Sequence, residues 1–265
     1  MKRLAASLAL LFLLAAFAAA QTNGPDADTQ LALDKENEGL GLEVGAELSL
    51  GDVADKAVFG LAPIVKYDNS FGNFDVYAEA QYFMTFGDNF GQRFYLEEEV
   101  AYNLPFSSSV LTFILNNQNN FYFDGSEDTD GVLEPSVLYA YDFSFGTLSA
   151  QAGFPIGYAP DVIVDTYLNL GYYNFGFGVE VKAIYNIDPF AEMAGYELLL
   201  NYEMEDVFYA EVEIDTVKDF DVFVISPYAE FFINKITIWA GVDIGNIGGL
   251  GSVSVEPYIG ASYKF

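Results

Sequence analysis

The sequence predicts an all-β fold, namely a transmembrane antiparallel up-and-down β-barrel of about fourteen strands. Three observations support this prediction. Apolar and polar residues alternate in one segment after another, which is the pattern of a strand whose two faces meet different surroundings. Each segment is close to the roughly 9–11 residues that a tilted strand needs to cross a bilayer. Beyond the N-terminal stretch, no run reaches the roughly 18 apolar residues of a membrane-spanning helix.

The first residues are typical of a secretory signal. Lys2 and Arg3 are followed by an almost unbroken apolar run over residues 4–17 and then by three alanines. This order predicts a cleaved signal peptide over residues 1–20. A membrane anchor is the alternative, but the apolar run is short and a polar, acidic segment follows it at once.

The chain between the signal and the first alternating segment is polar. Residues 21–38 contain Pro and Gly together with several acidic residues, and such a composition does not favour a packed structure. We interpret these residues as a flexible periplasmic segment. A plug inside the barrel is the alternative, for which the segment is short and acidic. The barrel itself is expected over residues 39–265.

The alternation is clearest at the start of the expected barrel, where six aliphatic residues occupy every second position. A helix would scatter these residues around its axis, whereas a strand places them all on one face. The polar set, which includes Glu43 and Glu47, then lies on the opposite face. The aliphatic set is Leu40, Leu42, Val44, Ala46, Leu48 and Leu50.

The same pattern continues to the C-terminus and divides the chain into about fourteen segments. Twelve strands are the alternative, reached by merging two segments in the less regular region 92–130. The segments are 40–50, 57–67, 73–86, 92–104, 109–118, 132–145, 147–157, 164–173, 175–187, 194–204, 206–216, 222–233, 236–246 and 252–265.

The connections between these segments differ in length. From residue 145 onward, tight turns alternate with longer loops, and the longest connection is expected at 119–131. Outer-membrane barrels have short turns on the periplasmic side and longer loops outside. With fourteen strands, both termini and every tight turn fall on the same, periplasmic side.

Composition excludes several classes of function. The formal net charge is −29, which is the opposite of the basic surface of a nucleic-acid-binding protein. Cys is absent, so that neither disulfides nor thiol chemistry are available, and His is absent too. Because His is the commonest general base and metal ligand, we expect no enzyme, no cofactor and no metal site.

Two features favour lipid over a protein core as the neighbour of the apolar face. No segment looks like a polar edge strand, which an open sheet would need and a closed barrel does not. Aromatic residues gather at segment ends, as in the girdles at the two membrane interfaces. One residue disagrees, since Glu98 falls on the face assigned to lipid. The aromatic residues are Tyr67, Phe71, Phe74, Phe143, Phe145, Phe154, Tyr158, Tyr172, Tyr173, Phe175, Tyr263 and Phe265.

The C-terminal residues carry a resemblance to a known class. Tyr263-Lys264-Phe265 closes an alternating apolar segment, and this ending resembles the last strand of bacterial outer-membrane β-barrel proteins, porin-like ones included. The resemblance implies a location in the bacterial outer membrane, contact with its lipid, and recognition of Tyr263 and Phe265 by the barrel-assembly machinery.

The polar face is strongly acidic and is expected to face the interior. Carboxylates along a narrow aqueous path attract cations and repel anions, so that a porin-like channel for small hydrophilic solutes or cations is predicted. A solvated acidic wall without tuned selectivity is the alternative. The expected pore-lining residues are Glu43, Glu47, Glu79, Glu97, Glu99, Glu180, Glu197, Glu211, Glu213, Glu230, Asp243, Glu256, Arg93 and Lys182.

Other interpretations stay open. Inward aromatic residues would also suit a non-conducting surface barrel or adhesin, or a transporter of hydrophobic compounds. Glu211 and Glu213 resemble a carboxylate dyad, but their spacing only places them on one face of a strand. The acidic segment 124–130 offers oxygen ligands for Ca²⁺ without a known calcium pattern, and Trp239 is interpreted as a packing residue. The inward aromatic set is Tyr77, Phe83, Tyr209, Tyr228 and Phe232.

Overall fold

The computed structural model describes most of the expected barrel. The described residues are 41–51, 58–87, 90–123, 130–159, 162–187, 192–204, 207–217, 222–249 and 252–265. The expected signal peptide and the segment 21–38 lie outside them. Within these ranges, no helix is long and apolar enough to cross a membrane.

All regular structure in the described ranges is β-strand. The tight turns between strands fall at one end of the molecule, which we call the short-turn end, and the longer connections fall at the other, the long-loop end. The strands are β1 (Leu42–Leu50), β2 (Phe59–Phe71), β3 (Phe74–Phe86), β4 (Gly91–Phe106), β5 (Ser109–Tyr122), β6 (Asp130–Phe143), β7 (Gly146–Gly153), β8 (Ile156–Ala159), β9 (Val162–Asn174), β10 (Phe177–Asn186), β11 (Glu192–Met204), β12 (Phe208–Val217), β13 (Phe223–Ile233), β14 (Ile236–Ile247) and β15 (Ser254–Lys264).

The strands form one closed antiparallel ring. Except for β7 and β8, each strand pairs with its neighbours in the chain, and β1 also pairs with β15, where Glu43 faces Lys264 and Ser49 faces Tyr258. Because the first and last strands are joined, the sheet has no open edge along which backbone groups would meet lipid without a partner. The predicted up-and-down barrel is confirmed.

The ring has fourteen positions, because β7 and β8 share one of them between β6 and β9. Pro155, which has no N–H to donate, lies at the break between the two strands. The wall remains bonded there, since Phe154 N donates to Pro135 O and Asp165 N donates to Pro155 O, each at 3.0 Å. The expected segment 147–157 is thus one interrupted strand position, and the alternative of twelve strands is wrong.

One expectation about the less regular region is wrong, and one question that the sequence left open is answered. The connection expected at 119–131 is shorter, because β5 continues to Tyr122 and β6 begins at Asp130, with Asn119 facing Gly131. The orientation of 109–118, left open by its mixed pattern, is fixed by pairing. Asn116 lies on the inner face opposite Glu99, and Asn117 on the outer face opposite Glu98.

The two faces of the wall differ as the alternation predicts. Along β1 the outer residues Val44 and Leu48 are each 43% exposed, while Glu43 and Glu47 point inward. Large aliphatic and aromatic residues stay exposed around the ring, although the same side chains would be buried in a water-soluble domain. The exposed apolar surface is therefore the surface suited to lipid.

Aromatic pairs lie outside near both ends of the strands. Phe74 packs on Tyr102 with ring centroids 4.7 Å apart at the short-turn end, and Phe94 lies 6.0 Å from Phe121 nearer the long-loop end. Such rings suit the interfacial depth of a membrane. Tyr173, expected among them, instead lies on the inner face and donates to Glu180.

Candidate pore and its lining

All fourteen expected pore-lining residues lie on the inner wall. The cross-strand register shows this, since Glu79 faces both Lys66 and Glu97, and Glu211 faces Tyr228. These pairs alternate with outward apolar pairs along the same strands. That the fourteen residues line a conducting path stays a prediction.

Tyrosines hold many of the inner carboxylates in place. Tyr95 Oη donates to Glu97 Oε2 at 2.8 Å, and Tyr209 Oη donates to Glu211 Oε2 at 2.5 Å. The hydroxyls of Tyr77 and Tyr228 donate to Glu79 and Glu230 in the same way. In each case Tyr and Glu are two residues apart on one strand, because side chains at i and i+2 share a face. This Tyr-X-Glu repeat is present in the sequence at 77–79, 95–97, 209–211 and 228–230, although alternation alone predicted only which face its residues share.

The repeat occurs in two patches of the wall. One patch lies on β3 and β4, where Tyr77 faces Glu99 and Glu79 faces Glu97. The other lies on β12 and β13, where Tyr209 faces Glu230 and Glu211 faces Tyr228. Since the two strand pairs are about half the ring apart, carboxylates approach the interior from both sides.

Further carboxylates are held across strands. Tyr167 Oη donates to Glu134 Oε1 at 2.6 Å, and Asn169 Nδ2 donates to Glu180 Oε2 at 2.5 Å. Trp239 Nε1 donates to Glu47 Oε2 at 3.0 Å, and the indole is only 4% exposed. Because a Cβ on Gly260 would meet the Trp239 ring at 2.2 Å, the indole needs this glycine beneath it. This contact supports the interpretation of Trp239 as a packing residue.

Cations neutralise only a small part of this acidic wall. Lys66 Nζ lies 3.3 Å from Glu79, and Lys182 Nζ lies 2.9 Å from Glu197. The Arg93 guanidinium stacks on Phe83, with its carbon 4.1 Å from the ring centroid. The remaining inner carboxylates give the interior a negative field.

One group of carboxylates has the spacing of a metal-binding cluster. Oxygens of Glu197, Glu213 and Asp215 lie within 4.8 Å of one another. Lys182 already neutralises Glu197, with its Nζ 2.9 Å from Glu197 Oε2. Glu211 lies on the same face of β12 as Glu213, so that the two residues belong to an acidic wall. The candidate calcium segment 124–130 lies outside the described residues except for Asp130.

Cavities open toward both ends of the barrel. At the long-loop end a cavity of about 690 Å³, which we call the vestibule, is lined by Arg93, Phe83, Trp239, Asp243, Glu256 and Tyr258 among others. At the short-turn end a cavity of about 430 Å³ is lined by Tyr173, Phe175, Glu203 and Tyr209 among others.

The C-terminal residues close the ring. Phe265 N donates to Leu42 O at 2.9 Å, and Tyr263 lies outside, 44% exposed, with its ring centroid 5.1 Å from that of Phe265. The two rings are therefore accessible from the outer surface at the short-turn end. Their recognition by the assembly machinery stays a prediction.

The architecture of this chain is similar to that of solved structures. The outer membrane protein Omp33 of Acinetobacter baumannii matches with a TM-score of 0.56 at 10% identity, over 86% of this chain and 100% of that one. The fold is that of an outer-membrane β-barrel. No protein-family model matches the sequence, and no curated protein matches it either.

Two further solved structures share weaker similarity with this chain. A mutant of the Rh. blastica porin matches with a TM-score of 0.45 at 10% identity, over 84% of this chain and 99% of that one. CdiB from Acinetobacter baumannii matches with a TM-score of 0.48 at 7% identity. The match spans 85% of this chain and 60% of the CdiB chain, so that this chain covers less than two thirds of the length of CdiB. At these identities the likeness concerns the fold alone.

Proposed function

We propose that this chain is a porin-like channel of the bacterial outer membrane, through which small hydrophilic solutes diffuse with a preference for cations. The observation that carries the proposal is the excess of carboxylates on the inner wall of a closed barrel. Lys66, Arg93, Lys182 and Lys264 are the cations placed on that wall by the described strands, against a much larger set of Asp and Glu.

The preference for cations follows from electrostatics. Fixed charges of one sign in a narrow aqueous path with low-dielectric walls raise the local concentration of counter-ions. Because tyrosine hydroxyls hold Glu97 and Glu211 against the wall, these carboxylates keep their positions beside the path. The mechanism is restricted diffusion past a fixed negative field.

The same proposal includes export and orientation. Residues 1–20 would direct the chain out of the cytoplasm, residues 21–38 would remain in the periplasm, and the last strand, through Tyr263 and Phe265, would engage the assembly machinery. The short-turn end would face the periplasm, as it does in outer-membrane barrels generally. The partners are then membrane lipid and small solutes, and no nucleic acid.

A transporter of hydrophobic compounds fits the inner wall less well. The hydroxyls of Tyr209 and Tyr228 are directed to glutamates, and the face of Phe83 is covered by Arg93. These aromatic residues therefore present polar groups to the interior rather than a continuous apolar path. A filled, non-conducting barrel is the stronger rival, because the same rings occupy interior space.

Purified protein in a planar bilayer tests the proposal. Stable conductance steps and a cation-directed reversal potential in a salt gradient are expected, whereas repeated insertions without conductance would favour the filled barrel. Neutralising Glu211, Glu213 and Glu230 to Gln should weaken the cation preference. Glu98→Gln is the outer-face control, since it removes one carboxylate charge from that face, and it should leave the reversal potential unchanged.

A further inference from the structure

The vestibule contains charged groups of both signs on different parts of its wall. Arg93 belongs to β4, while Asp243 and Glu256 belong to β14 and β15. β4 lies four ring positions from β15 along the shorter arc, with three strands between them, so that Arg93 and the two carboxylates are held apart by the barrel itself. Lys66 and Glu47 also line the cavity, but Lys66 is paired with Glu79, and Glu47 accepts a hydrogen bond from Trp239. The space between them is part of one cavity of about 690 Å³.

Within the described part of the chain, Arg93 is a cation of the inner wall without a carboxylate partner. Among the described residues, no carboxylate forms an ion pair with its guanidinium, in contrast to Lys66, whose Nζ lies 3.3 Å from Glu79. Phe83 supports the guanidinium from one face at 4.1 Å, and stacking leaves the in-plane N–H donors available. A guanidinium fixed in this way suits bidentate recognition of a carboxylate.

Asp243 and Glu256 form the complementary group. They face each other directly across β14 and β15, and like charges in such a position destabilise the pair unless a cation lies between them. No lysine or arginine in the described ranges forms an ion pair with either residue. An ammonium group of a ligand would relieve this repulsion and would donate a charge-assisted hydrogen bond to each of the two carboxylates.

We propose that the vestibule is a binding site for a zwitterionic solute of the size of an amino acid or a dipeptide, with its carboxylate on Arg93 and its ammonium group between Asp243 and Glu256. The cavity volume lies in the range of small-molecule sites. Tyr228 and Tyr258, whose rings are 6.3 Å apart, line the same cavity and offer an aromatic wall to the ligand backbone or side chain. That such a solute enters the channel rests on the proposed function. Its binding in the vestibule can be measured without conductance.

The chain provides its own reporter for the test. Trp239 is the single tryptophan of the sequence and lines the vestibule. Binding of L-alanyl-L-alanine to the purified full-length barrel in detergent is followed by titration calorimetry and by Trp239 fluorescence. The N-acetylated dipeptide lacks the ammonium group, and the C-terminal amide lacks the carboxylate. We expect saturable binding of the dipeptide and at least about tenfold weaker binding of each analogue, since each loses a charge-assisted contact.

Variants test which residues bind the carboxylate and which bind the ammonium group of the ligand. Arg93→Gln should weaken dipeptide binding at least about tenfold and remove the discrimination against the amide. The double variant Asp243→Asn, Glu256→Gln should weaken dipeptide binding by a similar factor and remove the discrimination against the N-acetylated dipeptide. Lys235→Gln is the matched control for loss of a cation, because Lys235 lies in the turn between β13 and β14 at the opposite end, and it should bind as the parent does. Heat-modifiable migration on a gel verifies that each variant is a folded barrel.

The outcomes separate the site from the channel. Absence of calorimetric binding, equal affinity for the three ligands, or unchanged affinity in folded Arg93→Gln overturns the zwitterion site. Cation-selective conductance together with any of these results leaves the proposed function standing. Specific binding without conductance supports the site and contradicts the channel.

Discussion

Asn117 donates a hydrogen bond from its side-chain Nδ2 to Glu98 Oε2 at 3.0 Å, on the outer surface of the barrel. The pair lies between the outward aromatic positions Phe94 and Tyr102, each four residues from Glu98 on β4. Tyr158 Oη continues the chain of contacts by donating to Asn117 Oδ1 at 3.2 Å, and it also donates to Asn119. A polar cluster therefore occupies a wall that is otherwise apolar.

Glu98→Gln should stabilise the barrel. Glu98 is only 7% exposed, and its Oε1 has no hydrogen-bond partner in the described part of the chain. A buried charge without full hydrogen bonding is costly, and a carboxylate on the lipid face adds to that cost. Gln keeps the acceptor for Asn117 and removes the charge, so that we expect the free energy of unfolding in lipid vesicles to rise by about 1 kcal/mol.

Glu203→Gln is the control for this change. Glu203 lies on the inner wall near the short-turn end and is exposed, so that its neutralisation should alter the free energy of unfolding by less than about 0.5 kcal/mol. A loss of stability in Glu98→Gln would show that the ionised carboxylate is itself part of a stabilising contact.

Tyr158→Phe should weaken the wall at the interrupted strand. The ring of Tyr158 lies over Gly131, where an added Cβ would meet its Cζ at 2.3 Å. Its hydroxyl joins β8 to Asn117 and Asn119 of β5. Loss of the hydrogen bonds to the buried Asn119 and the half-buried Asn117 should lower the free energy of unfolding by about 1 kcal/mol. Urea unfolding in vesicles measures the change.

Tyr139→Phe is the comparison for Tyr158→Phe, because Tyr139 also points outward and is 44% exposed. Its hydroxyl lies on an accessible part of the surface, and a change below about 0.5 kcal/mol is expected. Equal losses in the two variants would contradict a special role of the Tyr158 hydroxyl.

Phe175→Asn should relieve backbone strain in a tight turn. Phe175, expected from the sequence to begin a strand, instead lies in the turn between β9 and β10 with φ of 50° and is 91% exposed. A bulky residue in the left-handed region is strained, whereas Asn adopts it readily and is favoured in such hairpin turns. The free energy of unfolding should rise by about 1 kcal/mol.

The reverse exchange is available in the same chain. Asn234 occupies the corresponding position of the turn between β13 and β14 with φ of 56°. Asn234→Phe should lower the free energy of unfolding by a similar amount, about 1 kcal/mol. If both exchanges were neutral, backbone strain would not distinguish the two turns.

Tyr209→Phe together with Tyr228→Phe should weaken cation preference without removing any charge. The two hydroxyls hold Glu211 and Glu230 against the wall, and without them the carboxylates gain rotational freedom. In the bilayer experiment we expect a smaller shift in reversal potential than after neutralising the glutamates. Tyr139→Phe on the outer face serves as the control, and a double variant with the parent's reversal potential would contradict positioning by the tyrosines.

Much of the barrel could be predicted from local pattern. The expected segment 73–86 corresponds to β3 and 236–246 to β14, each within about one residue, because the alternation stops where both faces meet turns and water. The same period of two assigned Glu43 and Glu47 to the interior and Glu98 to the exterior. The Tyr-X-Glu repeat was also available, since residues two apart on a strand always share a face.

The sequence by itself determined which face each residue takes, because period-two alternation is a local property of an extended chain. Only the tertiary structure decided which distant residues meet, such as Trp239 with Glu47 and Tyr158 with Asn119. It also decided that β7 and β8 share one position and that Arg93 lies in one vestibule with Asp243 and Glu256. The physical reason is that closure of the barrel depends on the combined stagger and tilt of all the strands around the ring. The pattern of a single segment does not determine these quantities.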